Sequence, residues 1–429
     1  MYINRIELKN FRTFRSTKVD FVHADQRFAG MPRVGARERP SIDVPAPQLP
    51  NINLLLGNNG AGKTTLLKAI AIAALGPAVV DASLPIYRLI RREPGSGSAA
   101  EPGVEARIEA RFVAHEQDGH GSDIPAGTSE LESSISIQRM GDVERVRWVH
   151  PDEKPWHPIY SAESDAYFFV GYGATRRVES NDRLDPGARQ SSSFIRAQRI
   201  RSLFEEAYSL IPLSFWLPPL ESADRGRFTE VQHLIDQLLG GTGYSFTGMR
   251  EHGEYLFTKG GMMVPFPALS DGYRAYLGWI GDLLYHIEQT CPSGKKLVEN
   301  RGIVMVDEID LHLHPKWQMR VLPTLARALP NLQFVVTSHS PLIVGSLEWM
   351  NIILMKTGTR QSSSAKRVEW AVHGLDADQV LLSDFFGLES TRAPGRKRDL
   401  KKLALRAREG DPEAAKQLLE AMSRGTEAA

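Results

Sequence analysis

Cysteine occurs once in the 429 residues, at Cys291. A single cysteine excludes an internal disulfide framework and suits a reducing compartment. No stretch approaches the roughly 20 apolar residues that a membrane helix needs. The opening MYINRIELKNFRTF lacks the apolar core of a signal peptide. Charge of one sign is not in excess either: 52 Lys and Arg face 51 Asp and Glu, a formal net charge of +1. Any nucleic-acid surface would therefore have to be local. Donors for a four-ligand metal site are missing around His312 and His314, which have neither cysteines nor a second histidine pair beside them. These absences predict a soluble, intracellular, cytoplasmic protein. With 42% hydrophobic and 24% charged residues, it has length enough for a large core and a subdomain.

Local patterns then place the elements. YINRIELKNFRTF alternates apolar and polar residues and predicts a strand or the start of a hairpin. Residues 22–50 are rich in Pro, Gly, Ala and Arg without a period and predict a surface loop, as do 91–104 and 115–130. VEARIEARFVA and SSISIQRM alternate as antiparallel strands should. DAYFFVGYGATRR is an apolar run that ends at Gly173 and two arginines; the polar segment 179–193 after it predicts a mobile loop. RFTEVQHLIDQLLG sets Phe228, Val231, Leu234, Ile235, Leu238 and Leu239 on one helical stripe. The C-terminal residues predict two charged helices, the second capped by Asp411 with Pro412 at its first position. No internal repeat is present.

NINLLLGNNGAGKTTLLKAIAIAAL carries the chemistry most directly. A short buried strand meets a glycine-rich turn and an apolar helix, the setting that G-x-x-x-x-G-K-[ST] requires. Gly57, Asn58, Asn59, Gly60, Ala61 and Gly62 let backbone N–H groups close around phosphate. Lys63 adds a point charge, and Thr64, followed by Thr65, offers a hydroxyl to Mg²⁺. IVMVDEID then ends a buried strand with Asp307 and Glu308, which point differently and can divide the work. Asp307 would hold the Mg²⁺ water shell and Glu308 would polarise the attacking water. VVTSHSP closes a further strand with His339, able to hydrogen-bond a γ-phosphate oxygen. PALSDGYRAYLGWIGDLL puts Ser270, Asp271 and Gly272 at a helix start, where a serine oxygen ordinarily caps free N–H groups. Asp376 and Asp378 could suggest a nuclease metal pair, but an ordinary structural role is the better expectation.

Taken in order, ELKNFRTF, GNNGAGKTT, LSDGYR, VMVDEIDLHLHP and VVTSHSP resemble the ABC-type ATPase heads of the SMC, RecF and OLD group. GYGATRR resembles a segment of smaller bacterial members. The resemblance implies a P-loop α/β head with a mixed sheet, an antiparallel β portion and a helical subdomain. It makes residues 57–65 the Walker A loop, Asp307 the Walker B acid, Glu308 the catalytic base and His339 the switch histidine. Residues 311–315 match the D-loop, and Arg12 would approach the nucleotide. Ser270, Asp271 and Gly272 match the signature, which in this group binds the γ-phosphate held by a partner chain. A head-to-tail homodimer, or a higher oligomer built from such dimers, with ATP and Mg²⁺, is thus implied. The Q-loop glutamine has no motif to fix it; Gln138 lies on a plausible strand.

The chain from about 76 to 266 has no sustained heptad, so the long coiled coil of SMC proteins is not expected. Nor does the stretch after His339 read as a TOPRIM domain. The expected organisation is an ATPase head over 1–345 and a helical extension over 346–429. Within the head, an N-terminal lobe spans about 1–180, a helical signature subdomain about 195–290 and a C-terminal lobe about 300–345. The build resembles the ATPase subunits of Septu-type and retron-linked antiphage-defence systems, which implies a sensor or regulator of a separate HNH or TOPRIM-type nuclease. The alternative is a RecF-like DNA-repair ATPase that binds nucleic acid in its closed dimer. Residues 396–422 are consistent with a partner or self-assembly surface and equally with a solvated helical face.

Overall fold

The computed structural model describes the chain except for residues 31–40, 95–99, 103–104, 116–129, 142, 161–163, 165, 179–194, 293, 359–361, 371–373, 384, 387, 389–401, 409 and 424–429. The segment 179–193 and part of 396–422 thus lie outside the described residues. Two units divide the chain, Met1–Gly374 and Leu375–Ala429.

In the first unit, β1 (Tyr2–Phe11) and β2 (Phe14–Asp20) form the expected opening hairpin. Strand β3 (Ile52–Gly57) runs into the glycine turn and α1 (Lys63–Ala74). Strands β4 (Glu105–Val113), β5 (Glu130–Met140) and β6 (Val143–Trp148) follow, then β7 (Phe168–Tyr172). Helices α2 (Leu213–Ala223) and α3 (Arg225–Leu238) precede a small sheet of β8 (Tyr244–Glu251), β9 (Glu254–Lys259) and β10 (Met262–Pro265). Then come α4 (Asp271–Thr290), β11 (Gly302–Val306), α5 (Val321–Ala328), β12 (Leu332–Ser338), β13 (Ile352–Thr357) and β14 (Ser363–Arg367).

Two sheets enclose the main core. One is antiparallel, in the order β6-β5-β4-β1-β2. The other runs β7-β11-β12-β3-β13-β14, parallel except for its last pair. All residues of β3, β11 and β12 are buried, as befits parallel strands covered on both faces. Helix α1 packs on strands of both sheets, which explains why its apolar residues are not confined to one stripe. This is the mixed α/β architecture expected, with its antiparallel portion.

Several boundaries differ from the expectation. Residues 346–374 do not begin a helical extension: β13 pairs with β3 and β14 with β13, so the sheet continues past 345. Their apolar runs are too short to betray a strand by period alone. The subdomain expected to be helical over 195–290 also contains the three-stranded sheet β8–β10. Residues 91–104, expected as loop, include a short antiparallel pair, Arg92–Pro94 with Ala100–Pro102. In α3 the predicted stripe is buried in full, with Leu239 just beyond the last turn.

In the second unit, α6 (Ala377–Leu382) starts at Asp376, whose side chain and that of Gln379 form a capping box. Residues 402–408 are helical. Helix α7 (Pro412–Ser423) begins after Asp411, whose Oδ1 accepts from the N–H groups of Glu413 (3.0 Å) and Ala414 (3.1 Å). Among the described residues, no helix is long and apolar enough to cross a membrane.

Candidate functional site

The glycine turn between β3 and α1 wraps the start of the helix. Gly62 holds φ at +96°, which a side chain would strain, and a Cβ there would stand 2.5 Å from Thr13 Oγ1 and 2.8 Å from the Phe14 ring. The β1–β2 turn is therefore pressed against the loop. Arg12, in that turn, adopts φ +45° and donates its N–H to Leu89 O (2.8 Å) and its Nε to Arg88 O (3.2 Å). Lys63 folds into the loop, its Nζ donating to Gly57 O (2.7 Å) and Asn58 O (3.3 Å). Burial lowers the Lys63 pKa, while Asp307, Glu308 and Asp310 oppose the shift.

Strand order explains how the acids reach this loop. β12 lies between β3 and β11, so the ends of all three strands meet. Asp307 is buried; its Oδ2 accepts from Thr64 Oγ1 at 2.7 Å and its Oδ1 from Thr337 Oγ1 at 2.6 Å. Thr337 Oγ1 in turn accepts from the Glu308 N–H at 2.8 Å. Glu308 sits at φ +47°. Both acids lie just past the last strand residue, Val306, where the chain turns left-handed at Glu308. Arg176, from the GATRR loop after β7, donates Nη1 to Asp307 O (2.6 Å) and Nη2 to Glu308 O (2.9 Å). Burial lowers its pKa to about 10.

His339 directly follows β12 and is half-buried. Burial, and then the charge of Lys63, lower its pKa from the ordinary histidine value, which favours the neutral ring. Beside it, Ser340 Oγ donates to Gln318 Oε1 (2.7 Å), and Gln318 Nε2 donates to Leu313 O (2.9 Å). Gln318 thereby ties residues 311–315 to the segment after His339. His314 caps the turn Pro315–Gln318 by accepting the Lys316 N–H. Gln138 lies on β5, paired in register with Glu105 and Arg145.

Ser270 occupies the N-cap of α4 but makes no side-chain cap bond, contrary to the expected capping role, and it is exposed. Asp271 pairs instead with Arg274. Gly272 permits a close approach, since a Cβ there would fall against His312 O. The start of α4 and the segment around His312 of the same chain are thus in contact.

Sequence reasoning assigned no role to Arg176, Thr337 or Gln318. Only the arginine left a signal, as a basic residue after a buried strand. The donor chemistry fits Mg²⁺: a hydroxyl and a carboxylate converge on one point, and this ion takes few protein oxygens, completing its shell with water and phosphate oxygens. Thr64 and Asp307 would hold it. Among the described residues no cluster of three or more His, Cys, Asp or Glu offers an all-protein metal cage.

A buried parallel strand feeding a glycine loop and an inward lysine, with an acid two strands away, defines a P-loop nucleotide site. The chain belongs to the family described as "AAA domain, putative AbiEii toxin, Type IV TA system", whose model matches residues 52–345; a second model, "AAA ATPase domain", matches residues 1–74. It is 24% identical over 91% of its length to a Septu protein PtuA from Bacillus mycoides, covering 45% of that protein. It is 39% identical to the Retron Ec83 probable ATPase of Escherichia coli over 21% of this chain and 17% of that one. It is 29% identical to a Septu protein PtuA of Bacillus thuringiensis over 30% of this chain and 34% of that one. The chain thus spans less than half the length of these relatives. Among solved structures it is similar to an SMC head domain from Thermotoga maritima, with 16% identity, a TM-score of 0.45, and coverage of 86% of this chain and 100% of that one.

Proposed function

We propose that this chain hydrolyses ATP and uses the cycle to regulate a separate effector nuclease in antiphage defence in the cytoplasm. The observation that carries the ATPase reading is the meeting of Lys63, Thr64 and Asp307 at one strand edge, with Glu308 one residue beyond. Similarity to Septu and retron ATPases supports the defence role. In this reading the loop N–H groups and Lys63 hold the β- and γ-phosphates. Thr64 and Asp307 would hold Mg²⁺, which when bound would supply charge stabilisation there. Glu308 takes a proton from the attacking water, and neutral His339 hydrogen-bonds a γ-phosphate oxygen.

The other half of the site comes from a second copy. Support for this lies at α4: Ser270 is exposed, its hydroxyl makes no cap bond, and a 20-residue helix points its positive end outward there. The test mixes two inactive variants, Ser270→Arg and Lys63→Ala. A heterodimer then has one site carrying both lesions and one with neither, so ATPase activity returns on mixing. In the heterodimer of the double variant with wild type each site carries one lesion and is silent, so that mixture keeps only the activity of its remaining wild-type homodimer. If the first mixture is dead although crosslinking shows that subunits exchange, the shared-site reading is wrong.

A further inference from the structure

Arg176 has no role in the mechanism above, yet the residue is only 9% exposed and its guanidinium reaches the backbone of the two acids. Burying a guanidinium is unfavourable unless its donors are met. Here two of them go to successive carbonyls, Asp307 O at 2.6 Å and Glu308 O at 2.9 Å. We propose that Arg176 is a positioning residue for hydrolysis: it clamps the Asp307–Glu308 turn so that the Glu308 carboxylate stays where the attacking water sits. This rests on the reading of Glu308 as the base.

The turn needs such a clamp. Beyond Val306 the β11 ladder stops, and the freed peptide groups must find partners. Neighbouring strands hold the N–H side: Asp307 N donates to Tyr172 O (2.8 Å), Glu308 N to Thr337 Oγ1 (2.8 Å) and Ile309 N to Thr337 O (3.0 Å). On the carbonyl side, Glu308 O also accepts from Leu311 N at 3.1 Å. Arg176 is what joins that carbonyl to the one before it. Glu308 meanwhile occupies φ +47°, a region a side chain leaves unless its surroundings fix it. A planar fork suits two adjacent acceptors, and the compact ammonium of lysine does not reproduce it.

The test compares wild type with Arg176→Lys, Arg176→Gln, Glu308→Gln and the double variant Arg176→Lys/Glu308→Gln, all in the full chain. ATPase kinetics, binding of a fluorescent ATP analogue and melting temperature are measured for each. We expect Arg176→Lys to lower kcat about tenfold or more, since a small displacement of a reacting group costs that much. Analogue affinity and melting temperature should stay near wild type. In the Glu308→Gln background the same change should leave residual turnover unaltered, because the residue it acts through is gone. Three results overturn the proposal: Arg176→Lys turning over at the wild-type rate, an equal fold-loss in both backgrounds, or loss of folding or analogue binding in step with kcat. If Arg176→Gln does not fold, the lysine variant decides. The two readings fail separately. Glu308→Gln at wild-type turnover removes the base, whereas wild-type turnover in Arg176→Lys beside an inactive Glu308→Gln removes only the clamp.

Discussion

The hydroxyl of Thr64 donates to Asp307 Oδ2 at 2.7 Å, joining residues 243 positions apart in the chain. One comes from the first turn of α1 and the other from just beyond β11, and their side-chain oxygens meet directly. Asp307→Asn removes the charge while keeping the shape. Its Mg²⁺-dependent ATPase should fall by about 100-fold or more, the loss of several kcal/mol of charge stabilisation. Thr64→Ala should raise the Mg²⁺ concentration needed for half-maximal activity. Steady-state assays across a Mg²⁺ titration check both, and a variant with wild-type rate and Mg²⁺ dependence removes the metal assignment.

Tyr172 connects the acid strand to helix α4. Its carbonyl accepts the Asp307 N–H at 2.8 Å, and its hydroxyl donates to Asp282 Oδ2 at 2.9 Å in α4. Asp282 also accepts the Ile211 N–H (2.7 Å) and faces His286 Nε2 at 3.3 Å. Burial opposes its charge, yet these partners, His286 foremost, hold its carboxyl below the usual range. Tyr172→Phe leaves that carboxylate one donor short and should destabilise the fold by about 1–3 kcal/mol. Urea unfolding measures this; an unchanged midpoint would mean the bond contributes nothing.

His23 sets an acid limit on stability. It is fully buried against Tyr2, ring centroids 5.1 Å apart, with neither ring nitrogen hydrogen-bonded. Burial lowers its pKa to about 3. As pH falls through 6.5 the unfolded chain takes up the proton and the folded chain does not. The contribution is therefore complete above about pH 6.5 and drains away toward pH 3. Between pH 7.5 and pH 5 the loss should be about 2 kcal/mol. His23→Phe should remove that part of the slope, as denaturant melts at the two pH values would show. An identical slope in the variant contradicts the assignment.

How much of this was legible depended on whether a pattern was local. The loop from Gly57 to Thr64 and the strand ending at Asp307 announce themselves because adjacent residues do the work, and α3 shows its stripe by period. Thr337 and Gln318 act only through strand order and a turn, which no spacing encodes. β13 and β14 escaped because a short apolar run gives no period to separate strand from helix. Ser270, by residue type and place, suggests a helix cap as readily as a signature serine, and the structure shows that it makes no cap bond.

The central claim is that Glu308 drives ATP hydrolysis in a site built by Lys63, Thr64 and Asp307. Chemical-quench assays with radiolabelled ATP, run with Mg²⁺ on wild type and Glu308→Gln, test it most directly. Wild type should release ADP and phosphate over many turnovers. Glu308→Gln should retain intact ATP after gel filtration, with turnover about 100-fold lower, the usual scale for losing a general base. Hydrolysis by Glu308→Gln at the wild-type rate, or a wild-type chain that binds no ATP, would contradict the account.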